Sequence, residues 1–146
     1  MSFSIIFRLA QIADASEIAR LTRVLGYSAD TQATQSRLER LLSSSTDIVY
    51  VAESDRGLRG WIHGFLSQLL ESDLRVEIGG LIVDPATRRE HIGTRLVESV
   101  QQWAANHGAL DVSVRCREER PEAHAFYQSL GFCYTKTQKV FRMRIQ

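Results

Sequence analysis

Residues Arg88-Arg89-Glu90-His91-Ile92-Gly93-Thr94 put two guanidinium groups and a glycine where an apolar run gives way to a helical pattern. The run before them, Ile78-Gly79-Gly80-Leu81-Ile82-Val83, reads as a strand; after them Ile92, Leu96, Val97 and Val100 recur at helical spacing. A strand-to-helix turn of this kind offers N–H groups without intrahelical partners, the positive end of a helix dipole and fixed positive charge. Together these suit a phosphorylated ligand. The same pattern also fits an ordinary loop with solvated arginines, because short glycine-containing turns are common. The four histidines lack metal-ligand spacing, so no metal is expected. Cys116 and Cys133 have no CxxC neighbour and read as reduced thiols, with no base in the sequence to make Cys116 a nucleophile.

The elements that must position this turn follow from periodicity. Phe3 to Leu9 is a first strand, with Ile5, Phe7 and Leu9 on one face. Asp14-Ala15-Ser16-Glu17 reads as a capping box opening a helix, with Ile18, Leu21, Val24 and Leu25 along it and Gly26 ending it. Asp30 to Leu42 is a second helix. Asp47 to Glu53 and Leu58 to Leu69 are strands joined by a hairpin turn at Asp55-Arg56-Gly57, and Leu74 to Val83 is the next strand. The helix after the turn carries Ile92, Leu96, Val100, Trp103 and His107 on one stripe and closes at Gly108. Leu110 to Cys116 is then a strand parallel to the one before the helix, because a strand–helix–strand crossover runs that way. Pro121 opens a last helix that stops at Gly131, and Phe132 to Tyr134 with Val140 to Ile145 are expected to form a terminal hairpin.

Composition bounds the partners. The chain has 146 residues, 44% of them hydrophobic and 24% charged, which predicts one domain over 1–146. A net charge of +1 supplies no global field for nucleic acid or an anionic membrane, so any anion site is local. The N-terminus lacks the basic and cleavage-like features of a signal peptide, and no apolar run is long enough to span a bilayer. A cytoplasmic protein is expected, and exposed sheet edges leave room for a homodimer.

Two motifs at this separation resemble the GCN5-related N-acetyltransferase (GNAT) superfamily. Its phosphate-binding signature, Gln/Arg-x-x-Gly-x-Gly/Ala after a strand ending in Val-x-Pro, is similar to Val83-Asp84-Pro85 followed by Arg88-Arg89-Glu90-His91-Ile92-Gly93. Its Ala-x-x-Phe-Tyr and Gly-Phe pattern is similar to Ala123-His124-Ala125-Phe126-Tyr127 and Gly131-Phe132. The likeness covers essentially the whole chain. Two positions depart from it: His91 stands at the first motif glycine, and Arg120 where many relatives carry Asn. Glycine lets a backbone approach a pyrophosphate closely, so His91 is expected to alter how phosphates are held without abolishing binding.

The resemblance implies an α/β fold, a largely antiparallel sheet with a central splayed parallel pair flanked by four helices. It implies acetyl-CoA, or another acyl-CoA, as acyl donor. The pyrophosphate would lie on Arg88, Arg89, Glu90, His91, Ile92, Gly93 and Thr94, and the pantetheine arm along Leu81, Ile82 and Val83, with Gly79-Gly80 suited to the family's strand bulge. Direct attack by an amine in a ternary complex is the family's usual route. Tyr127 matches the tyrosine that protonates the departing sulfur; a packed aromatic on its helix is the alternative. Glu77, a carboxylate in an apolar strand, is the expected base and acceptor contact, unless it pairs with an arginine or faces solvent. Tyr27 is expected to line the acceptor pocket. His63 and His124 are alternatives for proton handling, each also readable as structural. The implied activity is acetylation of a primary amine on a small molecule. A protein or peptide N-terminus or lysine is the second acceptor class, and a non-catalytic acyl-CoA-binding sensor or interaction module the reading of a different kind.

Overall fold

The computed structural model describes residues 4–146, and the side chains of Arg88 and Arg89 lie outside that description. Phe3, the start of the expected first strand, also lies outside it. Five strands form one sheet in the order β1-β2-β3-β4-β5: Ile6–Leu9, Asp47–Ser54, Gly57–Ser67, Arg75–Val83 and Asp111–Val114. The first three pairings are antiparallel, and β4 with β5 is parallel. The helices are α1 (Ala15–Val24), α2 (Thr31–Leu42), α3 (Ile92–Asn106) and α4 (Pro121–Ser129). The fold class therefore matches the sequence reading.

The chain divides into two compact units, one ending at Val114 and one spanning Arg115–Gln146. In the first unit, apolar side chains cover both faces of the sheet. On one face Ile18 and Leu21 of α1 and Leu38 of α2 form a buried cluster with Val49, Val51, Leu58 and Ile82, against which Trp61 packs. On the other, Ile92, Leu96, Val97, Val100, Trp103 and Ala104 bury the α3 stripe, each large residue stabilising by roughly 1.5–3 kcal/mol. Glycines on β3 let α3 approach: a Cβ at Gly64 would stand 3.0 Å from Val100 Cγ1, and one at Gly60 3.1 Å from Leu96 Cδ1.

Helix boundaries follow local chemistry, with one correction. Asp30 caps α2 by accepting from Ala33 N–H at 3.1 Å, and Pro121 sits at the start of α4. Asp14 precedes α1, but the expected capping box does not form. Arg8 Nη1 and Nη2 each donate to the Asp14 carboxylate at 2.8 Å, and Gln11 N–H donates to it at 2.7 Å. Glu17 instead accepts from Leu58 N–H at 3.0 Å and from Arg20 Nε at 2.6 Å, tying α1 to the start of β3. Each carboxylate is taken by an arginine guanidinium and a backbone N–H elsewhere, so neither is left for the cap.

The second unit corrects another expectation. No strand forms between Phe132 and Gln146; the terminal hairpin is absent. Phe132 N–H closes the end of α4 on the Tyr127 carbonyl at 3.1 Å. Beyond it Val140, Phe141, Met143 and Ile145 are exposed. Alternating apolar residues specify a strand only where an edge is available to pair with. The expected Leu110–Cys116 strand is likewise shortened to β5, with Leu110 exposed.

Candidate active site

The β4 strand changes character halfway along. From Arg75 to Ile78 it is paired on both sides, to β3 and to residues Asp111–Val114 of β5. The parallel ladder then ends at Ile78–Val114, so among the described residues the β5-facing edge of β4 from Gly79 to Val83 has no ladder partner. At the same point His63 pairs with Gly80 and Gly64 with Ile78, leaving Gly79 as an extra, exposed residue. This is a β-bulge at the glycine pair, where the resemblance placed one. Leu81, Ile82 and Val83 lie on the open segment: Ile82 is packed into the α1/α2 core, while Leu81 and Val83 are half-buried opposite Ile62 and Gly60. Their main-chain groups along that edge are what an extended ligand arm can pair with.

Beyond β4 the chain makes a 3-10 turn over Pro85–Glu90 before α3 begins at Ile92. Asp84 pins the turn. Its carboxylate accepts from Ala86 N–H at 3.0 Å and from Arg59 Nη1 at 2.9 Å, and its carbonyl accepts from Thr87 N–H at 3.0 Å. His91 precedes α3 in the left-handed conformation, φ 57° and ψ 28°, with its side chain exposed. This is the physical reason for glycine at the corresponding motif position: a Cβ in that conformation costs energy, and histidine is among the side chains that tolerate it best. Arg95 N–H makes the first intrahelical bond, to the His91 carbonyl at 3.1 Å. The N–H groups of Ile92, Gly93 and Thr94 lie in the turn before it, where helix geometry gives them no intrahelical acceptor. Glu90 is exposed. The guanidinium groups expected on the phosphates, those of Arg88 and Arg89, fall outside the described side chains.

One face of the sheet beside the bulge gathers titratable groups. Glu77 is half-buried on β4 opposite Phe65 of β3. His63, two residues before Phe65, lies on the same face: a Cβ at Gly79 would meet both the His63 and the Phe65 rings. His63 Nε2 donates to Asp47 Oδ1 of β2 at 2.8 Å, both side chains about one-fifth exposed. Partial burial works to raise the Asp47 carboxyl, but hydrogen bonds from His63, Ser44 and Thr46 outweigh it and hold the group below its ordinary value. Tyr27, in the connection after α1, is partly exposed.

In the second unit Tyr127 is buried on α4, edge-on to Phe126 at 5.0 Å and Phe132 at 5.4 Å between ring centroids. Burial pushes its phenol well above the ordinary value, so it stays protonated across physiological pH. His124 on the same helix faces the Arg117 carbonyl through Nε2 at 2.8 Å, a contact that fits its structural reading.

The parallel pair that ends at Ile78, the bulged strand beyond it and the turn into a helix N-terminus are the frame of an acetyltransferase. Residues 13–132 match the model of the Acetyltransferase (GNAT) family, and the chain belongs to that family. Over 120 residues it is 27% identical to the aminoglycoside N(6')-acetyltransferase type 1 of Acinetobacter genomosp. 13, covering 74% of this chain and 77% of that protein. Its fold is similar to that of aminoglycoside N-acetyltransferase AAC(6')-Iy in complex with CoA, with a TM-score of 0.88 at 19% identity, covering 99% of this chain and 98% of the other. It is also similar to aminoglycoside 6'-N-acetyltransferase AAC(6')-Ih from Acinetobacter baumannii, with a TM-score of 0.86 at 19% identity over 98% of this chain and 100% of that one.

Proposed function

We propose that this enzyme transfers an acetyl group from acetyl-CoA to a primary amine of a small polycationic acceptor of the aminoglycoside class, by direct attack in a ternary complex. The observation that carries the proposal is the open edge of β4. Five consecutive residues, Gly79 to Val83, lack a ladder partner on one side among the described residues and lead into the turn pinned by Asp84. The pantetheine arm takes the place of the missing strand, and the pyrophosphate lies on the N–H groups of Ile92, Gly93 and Thr94 with Arg88 and Arg89 beside it.

Main-chain N–H groups at the bulge polarise the thioester carbonyl as the amine attacks. Tyr127 gives a proton to the departing sulfur, a role for which a protonated phenol is required. Glu77 attracts the acceptor's ammonium and is one place its proton can go. The 27% identical relative, an aminoglycoside acetyltransferase, supports the acceptor class. Acidic residues on the loop before β4, Glu71 and Asp73, suit a polycation.

An acceptor panel of aminoglycosides, simple amines, amino acids, polyamines and peptides, read by CoA release, tests the proposal. Turnover with aminoglycosides above the other acceptors is expected; release only with peptides would reassign the acceptor to proteins. Calorimetry that detects no acetyl-CoA or CoA binding at millimolar ligand would sink the donor assignment. Tyr127→Phe should lower kcat on the order of 100-fold while CoA affinity changes little; unchanged turnover removes Tyr127 from the reaction.

A further inference from the structure

The geometry points to His63, oriented by Asp47, as the base that takes the proton from the acceptor amine. This deepens the proposed acetyl transfer and rests on it.

The argument begins with the ring's two nitrogens. Nε2 lies 2.8 Å from a carboxylate oxygen that can only accept, so Nε2 carries the proton and the lone pair sits on Nδ1. Nδ1 has no hydrogen-bond partner among the described residues. No partnerless polar side-chain atom in them is sealed from solvent either, so Nδ1 is reachable. It faces the bulge: a Cβ at Gly79 would stand 2.8 Å from it, closer than real Cβ atoms approach. Glycine at position 79 is what lets the lone pair occupy that space. Gly79 is itself exposed and begins the open edge of β4, where the thioester is placed. The imidazole therefore holds an unused basic nitrogen beside the reacting carbonyl, in a tautomer set from behind by a carboxylate.

The surroundings fit the role. Asp47 is itself held by Ser44 Oγ at 2.7 Å, and the His63 ring packs against Phe65 with centroids 5.7 Å apart, so the ring cannot swing freely. The charged groups facing it are Asp47 from β2 and Glu77 from β4. Glu77 attracts the ammonium, and an imidazole, with an unperturbed pKa of about 6.5, is better matched than a carboxylate to accept its proton near neutral pH.

The step balances as follows. The ammonium loses one proton to Nδ1, and the freed nitrogen attacks the thioester carbon. The C–N bond forms, the C–S bond breaks with its electron pair on sulfur, and sulfur takes a proton from Tyr127. The nitrogen's second proton leaves as the amide forms and restores that phenol. One net proton leaves through His63 to solvent.

The test is the pH profile of kcat/KM with the best acceptor found for the intact protein. A base must hold a free lone pair to accept, so activity should fall toward acid pH with a limb that depends on the residue at position 63. Asp47→Asn, which can still accept from the ring but no longer presents a carboxylate that fixes the proton on Nε2, should lower kcat on the order of 10-fold with the acceptor KM little changed. His63→Gln should abolish the limb and lower kcat near neutrality on the order of 100-fold, with CoA affinity unchanged. Glu77→Gln should raise KM for the acceptor and leave the limb in place. An unchanged kcat in Asp47→Asn, or an unchanged profile in His63→Gln, overturns the inference; if His63→Gln fails to fold, Asp47→Asn decides alone. If the unaltered protein acetylates no amine at all, the proposed function fails, and that outcome is distinct from either.

Discussion

The two halves of β4 differ in what surrounds them, and the difference separates stability from chemistry. Arg75–Ile78 is held between two strands, with Val76 and Ile78 buried. Gly79–Val83 is held on one side only among the described residues and begins with two glycines. The first half anchors the sheet. The second keeps backbone groups available that a closed ladder would consume, which costs stability locally and is affordable because the neighbouring half is fully paired.

Substitutions in each half can break or sharpen that contrast. Ile78→Ala, in the paired half, should destabilise the protein by about 2–4 kcal/mol while leaving CoA affinity of the folded protein unchanged; denaturant unfolding with parallel calorimetry measures both. A loss of CoA affinity without a loss of stability would erase the distinction. Gly79→Ala, in the open half, should do the reverse. Its Cβ displaces the His63 ring or the bulge, so kcat/KM should fall on the order of 100-fold while the unfolding midpoint moves little. A large midpoint shift would mean the bulge is structural. His91→Gly, just past the open half, should give the smallest effect. It relieves a left-handed side chain against added chain entropy, for a net gain below about 1 kcal/mol, with CoA bound as tightly or slightly more tightly. Weaker CoA binding would instead assign the imidazole a contact with the phosphates.

Much of this was legible from local pattern. Apolar alternation and short turns located β2, β3 and β4; the α3 stripe and the Gly108 and Gly131 ends followed from helical spacing and positive-φ glycines. What escaped depended on distant partners. Asp14 and Glu17 have the spacing of a capping box, yet one is taken by Arg8 and the other by Leu58, 41 residues away. The residues after Phe132 alternate as a strand does, and alternation says nothing about whether an edge will be there to pair. The Asp47–His63 pair was hidden by a register shift. Arg59 is an extra residue between the Ala52–Gly60 and Glu53–Leu58 pairs, so counting back from the Asp55-Arg56 turn puts Gly64, not Phe65, opposite Asp47. The site's glycine pair was visible as a sequence feature, but the ring that fills the space beside it was not.

The extra residue at Gly79 also acts as a half-period phase step. Before it, the even-numbered residues Val76 and Ile78 share a face with Gly64, which α3 covers; after it, even-numbered Ile82 joins the opposite core. Deleting Gly79 would leave Ile78 opposite Gly64 and Gly80 opposite His63 as consecutive pairs of an unbroken ladder, with Leu81, Ile82 and Val83 keeping the partners and faces they have. The insertion is therefore separable from the core: a chain shortened by that one residue keeps the places of Val76, Ile78 and Ile82 and loses the bulge alone.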